Sequence, residues 1–388
     1  MSRRDHLTNR YAFAHLVRNG ITIALPSASL FYRAEGETWA EFAAAADIAE
    51  AQDIRVYLGH AYRNGHMVVE ADGTIGTHVD EPLGLANLAE AIRFFEAFEG
   101  RAGGLVRTML APVQIETCTP ELVRRSAAAA RDICVPLRRH SCQSKREYDL
   151  VPTPRDMSPP EWLASFGALG PRTLLPDRTY VCGYSRIGRP GRDPEIIRDS
   201  AAAIVHCPLV SGRHGNLIES FARRCRMGLA VGIGTDTWPP DMVLNMQRGM
   251  ILCRVTDGDG PACRSEDYYD ASTIGGANAL GQSDLGRLAP GAMADIIVFD
   301  LTGPHFGQVI DPIQTIMLSG PGTHMHTVIV RGRASMQSCA IPGVDWASFA
   351  RQAGAQFAGL MAQYPRRTFG HPPPEEIFSP AYPVVRRA

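Results

Sequence analysis

His140, His206 and Asp236 are the residues whose type and position could do chemistry in this chain. Each stands at the end of a short apolar run. His140 lies in the strand-like run 135–142, His206 in Ile-Val-His-Cys-Pro, and Asp236 in Gly-Ile-Gly-Thr-Asp-Thr-Trp. An imidazole and a carboxylate brought from separate strand ends can converge on one divalent metal ion. A carboxylate so placed can also take a proton from metal-bound water. Each residue has a plainer use as well. A lone His at a strand end is more often a hydrogen-bonded core or rim residue, and an Asp after Gly-Thr can simply cap the next helix. Trp238 could stack on a flat ring or fill the core of the following loop, and both uses stay open. Arg186, Arg189 and Arg192 lie in or just before a Gly-Arg-Pro-Gly-Arg loop and read as solvated.

The elements that must position these residues alternate between strand and helix. Strands are expected at 21–25, 54–59, 106–115, 135–142, 179–182, 202–205 and 229–234, where short β-branched runs recur. Helices are expected between them, at 38–53 with Thr38 as N-cap, at 83–98, from Thr119 with Pro120 in its first turn, at 161–169, from about 193, near 217–226 and from about 240. Seven βα units in series predict a parallel sheet with crossover helices. A closed barrel of this kind has eight, and the shortfall falls at the front, where the chain opens on a helix-like stretch at 11–18. The expected fold class is therefore α/β, a TIM-like (β/α) barrel lacking its first strand. Residues 1–284 form the barrel, 285–345 a partial β-sandwich, and 346–388 a C-terminal helix and an extended arm rich in Pro and Arg. A seven-strand doubly wound sheet is the alternative.

Composition narrows the class. The 388 residues are 45% hydrophobic and 20% charged, with a net charge of −1. That balance fits a globular protein and offers no broad field for nucleic acid or an anionic membrane. No run of 18 apolar residues predicts a membrane span. No apolar segment follows the N-terminus, and the 9 cysteines show no paired spacing, so the expectation is free thiols in a reducing cytoplasm. Lys145 is the one lysine among 39 basic residues, which leaves a single candidate for any mechanism that needs a lysine.

The stretch 276–300 adds a specific pattern. Gly-Ala-Asn-Ala-Leu-Gly is followed by Leu-Gly-Arg-Leu-Ala-Pro-Gly-Ala-Met-Ala-Asp-Ile-Ile-Val-Phe-Asp. With Val-His206-Cys-Pro, Gly-Thr-Asp236 and His140 in the same order, it resembles the amidohydrolase superfamily, in particular its atrazine chlorohydrolase and cytosine deaminase-like branch. The resemblance runs from about residue 11 to about 336. It implies a hydrolase in which a metal-activated water attacks a C–N or C–Cl bond of a small, heterocyclic or aromatic substrate. It implies His140 and Asp236 as ligands of one divalent ion (zinc first, iron or cobalt next), Asp236 as proton acceptor, and His206 as a recurrent residue near the site whose role stays open; Trp238, two residues after Asp236, is the further site-lining candidate from its position alone.

The sequence departs from that pattern in three places. The His-x-His of the family's first strand is missing; His324-Met-His326 lies in the tail and reads as a surface feature. Gln143 stands where the catalytic acid should be, and glutamine cannot carry a proton; Glu147 follows four residues later. The position of the strand-six His falls near Gly183. Lys145 lies too late in the chain to bridge two metals. A chain with this fold but without turnover, binding a small molecule or a partner, is the competing expectation. The unpaired edges of the first and last strands predict a homo-oligomer.

Overall fold

Thr38 and Thr119 start helices where their side chains can accept backbone N–H groups. The computed structural model describes residues 3–27, 37–151, 157–176, 180–367 and 372–382. In it, Thr38 closes a capping box with Glu41, whose Oε2 accepts the Thr38 N–H at 2.9 Å. Thr119 Oγ1 accepts from Leu122 N at 3.4 Å, with Pro120 in the first turn. The helices used below are α1 (Arg3–Arg18), α2 (Trp39–Ala51), α3 (Glu81–Phe98), α4 (Pro120–Asp132), α5 (Met242–Asp257) and α6 (Trp346–Arg367).

Among the described residues, seven parallel strands of the two larger groups alternate with helices: β1 (Ile23–Ala24), β2 (Arg55–Leu58), β3 (Val106–Thr108), β4 (Leu137–Arg138), β5 (Thr173–Pro176), β6 (Ala203–His206) and β7 (Ala230–Ile233), with a short parallel pair, Ala61–Tyr62 and Ala111–Pro112, following β2 and β3. They pair in chain order. One group is β1-β2-β3, the other β4-β5-β6-β7. A bridge between Leu110 and Leu137 joins them, with Arg138 N donating to Leu110 O at 2.9 Å. Among the described residues, the outer edges of β1 and β7 carry no strand partner.

Alternate residues of each strand face opposite ways. One face turns Tyr57, Met109, Leu174 and Ala203 into a lumen, joined by Ala279 and Leu280 from the helical segment beyond β7. The other turns Val56, Leu58, Leu175, Ile204 and Val231 onto the helices, against Phe13, Val17, Phe42 and Phe94. Both faces are apolar because helices cover the outside and side chains fill the inside.

One expected strand is displaced. Residues 180–182 form a buried loop, Thr179 lies outside the described residues, and the fifth strand is Thr173–Pro176. Tyr180-Val-Cys imitates a strand because it is buried. Its backbone is tied down outside any sheet: Tyr180 N donates to Cys142 O at 2.9 Å, and the Asp193 carboxylate accepts the Cys182 N–H at 2.7 Å. The true strand is a Leu pair cut short by Pro176, too brief to show alternation.

Beyond the barrel, β8 (Ile296–Phe299), β9 (Met325–Val330) and β10 (Arg333–Met336) form one antiparallel sheet. The second layer that would make it a sandwich is not among the described residues. Arg55 at the start of β2 clasps Asp295 before β8, at 3.1 and 3.3 Å, and the pair is buried. Among the described residues, no helix is long and apolar enough to cross a membrane.

Candidate functional site

A cavity of about 1410 Å³ occupies the lumen and the side between β1 and β7. His140 enters it from the end of β4 and Asp236 from the loop after β7. His140 shares the inward face of β4 with Arg138, two residues earlier. Burial first, and then the Arg138 guanidinium, push its imidazole down to about 3, so it is a neutral ring with a lone pair to give.

Asp236 sits in a left-handed conformation at φ 55°. The turn that places it begins where Gly234 N donates to His206 O at 2.9 Å, and Thr237 N then reaches Thr235 O at 2.7 Å. Asp236 is exposed at the cavity rim, and the protein packed on its other side still raises its pKa by desolvation, partly offset by His214. A raised carboxylate facing a cavity has the character of a proton acceptor.

His206 goes elsewhere. Val205 and Cys207 line the cavity, so the residue between them faces the helices. Its ring packs beside Phe221 and Tyr268, with centroids 6.4 Å from each, and is 2% exposed. The expectation of a site-lining His206 is corrected: it is a core histidine, held near a pKa of about 3 by burial and by Arg224.

Gln143 is likewise outside the cavity lining. The Glu147 carboxylate accepts the Cys142 and Gln143 N–H groups, each at 2.7 Å. Glu147 thus fixes the turn after His140 and does not replace a catalytic acid.

Trp238 borders the cavity mouth at 53% exposure. Its ring stacks on Tyr11 of α1 at 5.9 Å and meets the edge of His15 at 4.6 Å. Tyr11 and Arg138 also line the cavity, and neither stood out in the sequence. Their signal was weak, since Tyr11 looks like any helix aromatic and Arg138 like half of a surface Arg pair.

A sequence profile described as the amidohydrolase family matches residues 10–334. The chain belongs to the amidohydrolase family. Among this amidohydrolase's relatives is a 5-methylthioadenosine/S-adenosylhomocysteine deaminase of Natronomonas pharaonis, 25% identical over 91% of this chain and 76% of its own length. Another is a 5'-deoxyadenosine deaminase of Methanothermobacter thermautotrophicus, 27% identical over 72% of this chain and 65% of that protein. The chain spans about two thirds to three quarters of these relatives. These relatives are named deaminases, enzymes acting on C–N bonds, and the chain shares their family.

Two solved structures share the fold. An adenosine deaminase from Xanthomonas campestris with bound zinc gives a TM-score of 0.76 at 17% identity, over 92% of this chain and 75% of that one. Atrazine chlorohydrolase from Arthrobacter aurescens complexed with zinc gives 0.76 at 21% identity, over 90% and 76%.

The donor set of this amidohydrolase can be tested against such an ion. An open catalytic zinc site keeps three protein ligands. Here His140 and Asp236 share a cavity, while His206 is turned away. Among the described residues, no three His, Cys, Asp or Glu side chains gather as an ion would require. Arg138 also places a positive charge beside His140. Two donors next to a guanidinium do not fit a catalytic ion.

Proposed function

We propose that this amidohydrolase hydrolyses a C–N bond of a small, flat heterocyclic molecule bound at the C-terminal strand ends. The observation that supports this best is the opening of His140 and Asp236, from β4 and β7, onto one cavity. Asp236 takes the proton of the attacking water, because its desolvated carboxylate binds a proton more readily than a free one. Neutral His140 offers a hydrogen bond to the substrate or to that water. Trp238 and Tyr11 present a stacked aromatic wall at the mouth. The family's divalent ion, zinc with iron or cobalt as alternatives, would draw on His140 and Asp236. Those two are an incomplete set among the described residues.

The second reading is a chain that binds a small molecule without turning it over. Gln143 favours it, because no acid stands where the leaving group would need one. In either reading the open edges of β1 and β7 favour a homo-oligomer.

The deciding experiment is ammonia release from 5'-deoxyadenosine and from aminotriazines, with zinc added and elemental analysis of the recovered protein. Release that disappears in Asp236→Asn supports hydrolysis. Saturable binding without release, in protein that is folded, replaces that reading with the second.

A further inference from the structure

The lumen holds a nearly buried cation that the hydrolytic reading leaves unused. Arg138 is 6% exposed and borders the cavity. Its Nη1 donates to Leu25 O at 3.0 Å and to Pro26 O at 2.9 Å, across the lumen at the end of β1. Its Nε and Nη2 meet no acceptor among the described residues. Glu37, a carboxylate whose field reaches it, accepts the Ala61 N–H at 2.7 Å. Leu174, Val205 and Ile23 give the same cavity apolar wall, beside the polar His140. Arg287 also borders the cavity, and its Nε donates to Leu285 O at 3.3 Å.

A guanidinium keeps its charge in such a place and presents its donors as a planar fork. Removed from water, that fork gains most from an acceptor that is itself charged and bidentate. We propose that Arg138 is an anion-binding residue, and that the cavity takes a small organic molecule with a flat apolar body and a carboxylate or similar anionic group. This rests on the cavity being the substrate site and adds the charge class of its occupant. It also accounts for the short ligand set, because the lumen already carries its positive charge.

The test is an equilibrium measurement and involves no turnover. Benzoate and its neutral isostere benzamide are titrated into the full chain by calorimetry. Benzoate is expected to bind saturably and at least about 10-fold more tightly than benzamide. Arg138→Met should abolish that preference, and Arg287→Met should keep it. Because Arg138 also holds the end of β1, Arg138→Lys is measured alongside; it keeps one charge and should retain part of the preference. Equal affinity for the two ligands, or no benzoate binding at about 10 mM in the wild type, overturns the proposal whatever the variants do. A preference lost in Arg287→Met instead overturns the assignment to Arg138. Ammonia release can fail while benzoate selectivity holds, and the reverse, so the two readings fail separately.

Discussion

Replacing Asp295 by Ala tests how the small sheet is tied to the barrel. Arg55 and Asp295 are both buried, and their side chains make two contacts at 3.1 and 3.3 Å. Asp295 also accepts the Arg331 N–H at 2.9 Å. Without Asp295, Arg55 keeps its bond to Gly104 O at 3.2 Å but loses the carboxylate that, among the described residues, is its one ion-pair partner. Stranding one partner of a buried pair costs about 3–5 kcal/mol. An unfolding entropy of about 2.1 cal/mol/K per residue gives a chain of 388 residues about 0.8 kcal/mol/K. Asp295→Ala should therefore lower the midpoint by about 4–6 °C in a thermal scan followed by circular dichroism. The double variant Arg55→Met with Asp295→Leu should recover most of this, because an apolar pair of similar volume carries no desolvation cost. A loss under about 1 kcal/mol in the single variant, or a double variant no better than the single, would refute the view that the pair is buried and mutually dependent.

Three further outcomes are expected. His206 is neutral in the fold, with a pKa of about 3 against about 6.5 unfolded; the unfolded chain gains the proton first as pH falls, so stability drops through that window by about 1.4 kcal/mol per pH unit. His206→Phe should flatten the acid limb of a urea-midpoint profile and leave ligand binding unchanged, whereas a lost binding signal would return His206 to the site. Asp236 binds its proton more tightly folded than unfolded, so its charge weighs against the fold once pH passes the usual carboxylate range; Asp236→Asn should be at least as stable as wild type at pH 7, with the gap closing at low pH, and should lose all ammonia release. Thr38→Ala removes the cap of α2 and should cost about 1 kcal/mol in chemical denaturation; no change would mean that the box with Glu41 is not formed in solution.

The strand and helix order was legible because βα repeats leave strong marks: Thr38 and Thr119 as caps, β-branched runs before them, and Gly-Ile-Gly-Thr-Asp at the last strand. The failures have separate physical sources. In a parallel barrel both strand faces are apolar, so alternation shows that His206 and Ile204 share a face but not which face is the lumen. His140 and His206 looked equivalent for that reason, and they point opposite ways. The loop 180–182 was taken for a strand because its burial is paid for by Asp193, an acceptor eleven residues away that no local pattern announces. Arg138 was invisible because Arg138-Arg139 in sequence is a basic pair, and only the pleat separates a lumen residue from one facing the helices.

Among the described residues, seven strands pair from β1 to β7 with no strand partner on either outer edge, and an open arc of this kind can spread. A ring of strands fixes its own diameter through closure and shear. An open arc can change the separation of its ends by small increments of twist shared over every strand pair, so the width of its interior is set by whatever spans it. Arg138 is such a span: rooted in the middle strand β4 and hydrogen-bonded to the end of β1, it acts as a tie-rod. A molecule held by the same guanidinium would bear on the contact between β4 and the end of β1. The packing of Tyr57, Met109, Leu174 and Ala203 against Ala279 and Leu280 spans the same lumen, so the width of the arc is held by several side chains together.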